Sequence, residues 1–246
     1  MINRIFIKVL SIFINIIDLN KKKKIINFFK NKLSNELLNV IDIGAHKGET
    51  INLFLKNFNI NKILAFEANP AISKKLEKML KNHEQYNKVK LIRCGIGDKE
   101  EIKDLTVFNE TSSSTFNPIN KDTKYYKRKK KILSFFKFDK DDLQNKIEIK
   151  IYPLSYFREV NNFDKIDVLK IDTEGYEFNV LKGLSQNHLK KIKYIYFEHH
   201  YDLMIKKDYT YREIKNFLNQ NNFYLSIKLK MNFRKTFEYV YENRRY

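Results

Sequence analysis

A single cysteine, Cys94, in 246 residues excludes any intrachain disulfide and leaves no Cys-rich zinc site to be built. Acidic side chains are also scarce: 29 Asp and Glu face 48 Lys and Arg, a formal charge of +19. Such an excess ordinarily marks nucleic acid or an anionic surface as partner, but a binding footprint clusters on one face. Lysine here is spread along the whole chain, with two clusters at Lys21 to Lys24 and Tyr125 to Lys131, so the charge reads first as compositional drift. The apolar stretch Ile5 to Leu19 is broken by Lys8 and Asn15 and falls short of the ~20 residues of a bilayer span. No small-residue cleavage site follows it, which argues against a secretory signal. It reads as a helix that packs on the domain or on a second subunit, or rests on an anionic membrane surface through the lysines behind it. No internal repeat is present.

What is there suits one sizeable core: 43% of the residues are hydrophobic, enough for one α/β domain at 39–246 behind an N-terminal helical extension at 1–38. From Val40 the pattern alternates as in parallel βαβ units. Strands are expected at Val40 to Ile43, Ile63 to Glu67, Val89 to Cys94, near Leu105 to Asn109, and at Ile147 to Tyr152, Ile166 to Ile171 and Tyr194 to Glu198. Helices are expected at Thr50 to Asn57, Ala71 to His83, Leu154 to Glu159 and Phe178 to Leu184. The chain closes with a helix at Thr210 to Asn221 and an antiparallel hairpin, Tyr224 to Lys230 and Thr236 to Tyr241. The basic, aromatic-rich segment 119–146 is too long for a plain connection and reads as a lid or a substrate-facing insertion.

Val40 to Thr50 joins an apolar strand ending in Asp42 to a glycine turn and a new helix, the way α/β folds build a nucleotide pocket. Glu67 ends the next strand twenty-five residues after Asp42, near the spacing at which an acid meets a ribose, and this implies an adenosine-bearing cofactor. A dinucleotide needs bare backbone at three points, and His46 stands where the second would be. S-adenosylmethionine carries no phosphate and needs only close backbone approach.

Four segments together resemble the FkbM family of S-adenosylmethionine-dependent methyltransferases: Val40 to Thr50, Ala65 to Pro70, Ser112 to Ser114, and above all Leu169-Lys170-Ile171-Asp172-Thr173-Glu174-Gly175-Tyr176-Glu177. Val180-Leu181-Lys182-Gly183 also fits. The resemblance runs from about residue 38 to the C-terminus. It implies a class I methyltransferase (Rossmann-like) fold, a doubly wound, mostly parallel seven-stranded sheet with one antiparallel strand, and methyl transfer usually to oxygen.

On this reading the cofactor site comprises Asp42, Gly44, Ala45, His46, Gly48 and Thr50 at the turn, Glu67 and Ala68 at the ribose, and Cys94, Gly95 and Ile96 beside the adenine. Cys94 reads first as a small buried thiol. Methyl transfer needs alignment and a base for the acceptor hydroxyl, and Asp172, Glu174 and His199 are the candidates. Asp172 reads equally as a cap of its turn, Glu174 and Glu177 as supports of the next helix, and His199 as a structural histidine. Mg²⁺ on Asp172, Glu198 and His199 is not part of the expectation. The expected acceptor is a hydroxyl of a sugar, glycan or glycosylated metabolite, handled in the cytoplasm or at the inner face of the membrane. A nucleic-acid methyltransferase is the competing enzyme, but Asp172-Thr173-Glu174-Gly175 lacks the Pro-Pro-aromatic turn of base-N-methylating enzymes. A non-catalytic protein that kept the fold is the competing class, opposed by intact Asp42, Gly44, Gly48, Glu67 and Asp172.

Overall fold

The computed structural model describes residues 23–108, 113–124, 126–128, 144–231 and 235–246. The expected helix Ile5 to Leu19, the lysines at 21 and 22, Ser112, and most of the 119–146 insertion lie outside the described residues.

The main sheet is built from β1 (Leu38–Ile43), β2 (Ile60–Phe66), β3 (Val89–Ile92), β8 (Ile166–Ile171), β9 (Ile192–His200), β10 (Phe223–Lys230) and β11 (Thr236–Asn243), in the order β10-β11-β9-β8-β1-β2-β3. Only β11 runs against its neighbours, pairing antiparallel with β9 and β10. The seven strands and the single reversed one match the expectation. Central strands covered on both faces read as near-continuous apolar runs, and all six residues of β8 are buried. Two of those six are charged. Asp167 accepts from the backbone N–H of Asn39 at 2.8 Å and pairs with Lys165 at 2.8 Å, while Lys170 is taken up below.

Helices cover both faces. One face carries α1 (23–33), α2 (Glu49–Asn57) and α3 (Pro70–Lys81), which bury Ile25, Phe29, Leu33, Phe54, Leu76 and Leu80 against Val40, Ile63, Val168 and Tyr194. The described part of the N-terminal extension is thus a layer of the domain, and burying each such side chain is worth about 1.5–3 kcal/mol. The other face carries α5 (Glu177–Lys182), α6 (Gln186–Lys191) and α7 (Tyr211–Gln220), which set Val180, Leu181, Leu189, Ile214 and Leu218 against Ile41, Leu169, Ile195 and Phe197. Helix starts follow local chemistry. Asn69 caps α3 by accepting from Ala71 N and Ile72 N ahead of Pro70, and Thr210 with Glu213 forms a capping box on α7.

Three expectations are corrected. The strand expected at Val89 to Cys94 stops at Ile92; Gly95–Ile96 leaves it as β4 and joins a second sheet, β4-β7-β5-β6, with β5 (Glu101–Phe108), β6 (Ser114–Thr115) and β7 (Gln144–Tyr152). The helix expected over Leu154 to Glu159 is a 3₁₀ turn, Leu154–Tyr156, followed by the short α4 (Arg158–Asn161). β9 extends to His200, two residues past its expected end, because it pairs with β11 as far as Thr236.

Candidate active site

β1 ends in the turn Gly44 to Gly48, whose first two amides, Gly44 N and Ala45 N, donate to Phe66 O at 2.9 and 3.0 Å. Gly44 has φ +78, and a Cβ there would fall well inside contact distance of the Asp172 carbonyl oxygen. Asp172 N in turn donates to Ile43 O at 2.9 Å, so β8 ends directly on the turn. Bare backbone at Gly44 is therefore required first by the fold. Thr50 lies half-buried in the first turn of α2.

Glu67 follows β2 and reaches across this turn. Its Oε2 accepts from His46 N and its Oε1 from Asn69 N, each at 2.8 Å. Burial pushes its carboxyl above the ordinary range, opposed by those two amides. A carboxylate offers about four lone-pair sites, so two remain for hydroxyls of a ligand. His46 takes φ +49, and its Nδ1 lies 3.3 Å from Glu49 at the start of α2. Ala68 is half-buried against the small core of the second sheet.

The residues expected beside the adenine are packed into the cores. Cys94 is buried in the main core, where desolvation pushes its thiol up to about 12, so it is an inert core thiol. Ile96 is buried in that core too, and Gly95 is pressed between Phe116 and Ile151. Their side chains serve packing.

Beneath the turn lies Lys170, almost fully buried in β8. Its Nζ is 3.1 Å from Asp42 Oδ1, 3.1 Å from Gly44 O and 3.5 Å from Asp172 Oδ2. Asp42 has no exposed surface, and burial pushes its carboxyl up against the pull of Lys170. Burial likewise opposes the charge on Lys170, but Asp42 and Asp172 outweigh it and hold the ammonium above its ordinary value. Asp172 itself is 36% exposed, the most open carboxylate of this group. No site role for Lys170 follows from sequence spacing, although a lysine in an apolar strand beside a strand ending in Asp42 is a signal, since the two are register partners.

The loop after β8 is held by buried Glu177. Its Oε1 accepts from Thr173 N at 3.2 Å and Gly175 N at 2.9 Å, and its Oε2 from Tyr209 OH at 2.7 Å. Glu177 thus supports the loop ahead of α5. Glu174 sits in this loop at φ +51, its carbonyl accepting from Thr115 Oγ1 at 2.7 Å. Asn117 donates to the next carbonyl, that of Gly175. Residues 118–120 also pair with 204–206, through Asn120 N to Met204 O at 2.7 Å and Lys206 N to Pro118 O at 2.9 Å. This pairing fixes the start of the insertion beside the loop.

His199, expected as a base near neutrality, is corrected on two counts. Alternation along β9 puts it with the aromatic rings of Tyr201, Tyr209 and Tyr211, at centroid distances of 4.8, 6.0 and 5.9 Å. Desolvation there pushes its imidazole down to about 3. The neighbouring His200 is the one that meets Glu174: its Nε2 is 3.2 Å from Glu174 Oε2 and from Glu198 Oε1, and its Nδ1 is 3.7 Å from Asp202. Burial opposes the His200 charge, but the three carboxylates outweigh it and raise the ring well above its ordinary value. It is His200, not His199, whose ring lies against Glu174. Because the folded His199 binds its proton less readily than the unfolded chain, its contribution to stability is full above about pH 6.5 and is lost as pH falls toward 3. His199→Phe should flatten that acid slope in chemical denaturation and leave the pH profile of turnover in place; loss of an ionisation near neutrality from that profile would restore His199 as the base.

Among the described residues no three His, Cys, Asp or Glu side chains converge so as to hold a metal ion.

The sheet order with its single reversed strand, and the turn at the β1/β8 switch point, define a class I methyltransferase fold. Residues 42–225 match the methyltransferase FkbM domain, and the chain belongs to that family. It is 28% identical over 169 residues to methyltransferase sdnD of Sordaria araneosa, 65% of each chain. It is 24% identical over 149 residues to methyltransferase 1 of Beauveria bassiana, 61% of this chain and 59% of that one. The matched stretch spans slightly less than two thirds of these relatives. Among solved structures, FkbM methyltransferase of Methylobacillus flagellatus superposes with TM-score 0.51 at 14% identity, over 83% of this chain and 44% of that one. The METTL16 methyltransferase domain superposes with TM-score 0.52 at 10% identity, over 92% of this chain and 67% of that one. At these identities the likeness is one of fold.

Proposed function

We propose that the chain is an S-adenosylmethionine-dependent methyltransferase acting on a hydroxyl of a sugar, glycan or glycosylated metabolite. The observation that carries the reading is the set of carboxylates gathered at the Gly44 turn: Asp42 and Asp172 on the buried Lys170 ammonium, and Glu67 on the amides of His46 and Asn69. That donor set fits a ribose and a cationic methionine group, and it opposes a pyrophosphate, which would meet carboxylates and the His46 side chain. Glu67 would hold the ribose through its two remaining lone-pair sites, with the Gly44 turn beside the amino acid part. When bound, the cofactor supplies a methyl group on a sulfonium.

This chain's own share of the chemistry is alignment and proton handling. Asp172, open on one side and anchored to Lys170 on the other, orients the acceptor hydroxyl and takes its proton. Glu174 is engaged by His200 and braces the acceptor side of the loop. His200, carrying its proton, is a cation there and not a base.

Glu67→Ala should weaken binding of S-adenosylhomocysteine by about 1.5–3 kcal/mol, the range for hydrogen bonds to a charged group. Calorimetry decides: unchanged affinity in the folded variant, or NAD bound more tightly than S-adenosylhomocysteine, removes the cofactor assignment. Incubation with methyl-labelled cofactor and extracted glycan, lipid and RNA fractions tests the acceptor. Label in the glycan fraction supports the reading, and label confined to RNA overturns it.

A further inference from the structure

Lys170 stands in a strand where every neighbour is apolar or paired, and it projects its ammonium under the Gly44 turn. A lysine ammonium has three N–H donors, and three oxygens lie around this one, from three pieces of chain: Asp42 in β1, the Gly44 carbonyl in the turn, and Asp172 at the end of β8. We propose that Lys170 is a positioning residue, which locks the end of β8 to the turn and keeps the Asp172 carboxylate ionised and held toward the acceptor. The inference rests on the reading of Asp172 as the acceptor's base.

Most of the charged groups around this point are carboxylates. Asp42 faces Lys170 from β1, Glu67 from the loop after β2, Glu49 acts on Asp42 from the start of α2, and Tyr196 is the register partner of Lys170 on β9. Glu174, beyond Asp172, adds a further carboxylate, itself countered by His200. Without the ammonium, Asp172 would lose the cation 3.5 Å from its Oδ2 while Asp42 and Glu174 stay, and its carboxyl would hold its proton more tightly. An opposite charge within about 4–6 Å typically lowers a carboxyl by 1–3 pH units, so its removal returns that amount.

Lys170→Met alone strands the buried Asp42 carboxylate, so the comparison is made on a background where that charge is gone. Asp42→Asn is set beside Asp42→Asn with Lys170→Met, and beside Asp42→Asn with Lys170→Gln, in ¹³C-carboxyl NMR titrations with Asp172 assigned through Asp172→Asn. The Asp172 midpoint should move up by about 1–3 pH units when the ammonium is removed, and the acid limb of kcat/KM should move the same way. Circular dichroism establishes that each variant is folded, because an unfolded chain would itself carry Asp172 to the ordinary aspartate range near about 3.9 and mimic the shift, and either uncharged replacement serves if the other does not fold. Coinciding midpoints overturn the proposal. Calorimetry of S-adenosylhomocysteine on the unaltered protein is read separately: failure to bind removes the methyltransferase reading and leaves the titration result standing.

Discussion

Asp172→Asn should lower turnover by about 10² or more, the scale usual for a positioned acid or base, while the protein stays folded. The expectation comes from how little of the architecture depends on the carboxylate. Asp172 is placed by its backbone, which donates to Ile43 O, and asparagine keeps that bond and the shape of the side chain. Lys170 keeps Asp42 at 3.1 Å as its closer partner. What is lost is the negative charge on the more open of the two carboxylates that pair with Lys170, and with it the proton acceptor for an acceptor hydroxyl. Turnover with the true acceptor, beside S-adenosylhomocysteine calorimetry and circular dichroism, separates the cases. Full turnover in the variant would place the reacting centre elsewhere, and loss of cofactor binding together with turnover would make Asp172 a binding residue.

The parts of this protein that were legible in the sequence are those whose chemistry is local. The β1 turn, the acid ending β2 and the Lys-Ile-Asp run each lie in one short stretch, and all three meet at the switch point of the sheet as parallel topology requires. The N-caps of α3 and α7 are equally local. The choice between His199 and His200 is not. Successive side chains on a strand point to opposite faces, so which of two adjacent histidines meets Glu174 depends on the register of β9 against β11, and a shift of one residue would exchange them. The sequence expectation ended the strand at Glu198 and so had no register to apply. β4 was missed because two residues carry no period, and α6 because six residues hold less than two turns of amphipathic pattern. The role of Lys170 was hidden because an apolar run tolerates one lysine on paper, whereas its burial is stabilised only by partners on other strands.

Gly44→Ala should destabilise the fold by about 2–5 kcal/mol, from about 1–2 for a left-handed backbone at a residue with a Cβ and about 1–3 for forced overpacking. The second contribution is what distinguishes Gly44 from Gly48, which has a similar φ of +83. A Cβ at Gly48 meets the side-chain tips of Met79 and Leu76, at 2.5 and 2.7 Å, and tips can turn aside. A Cβ at Gly44 meets the backbone carbonyl of Asp172, a residue whose own N–H donates to Ile43 O, and it cannot yield without parting β8 from β1. Gly48→Ala should therefore cost only the conformational part, about 1–2 kcal/mol. Set against a typical total of about 5–15 kcal/mol, the Gly44 variant would lose much of its margin. Urea denaturation of the two variants side by side reads the difference, and equal midpoints would mean that the ends of β1 and β8 do not meet as closely as the turn requires. Because the same displacement would carry Asp172 away from Lys170, any Gly44→Ala protein that still folds should also lose turnover out of proportion to its lost stability.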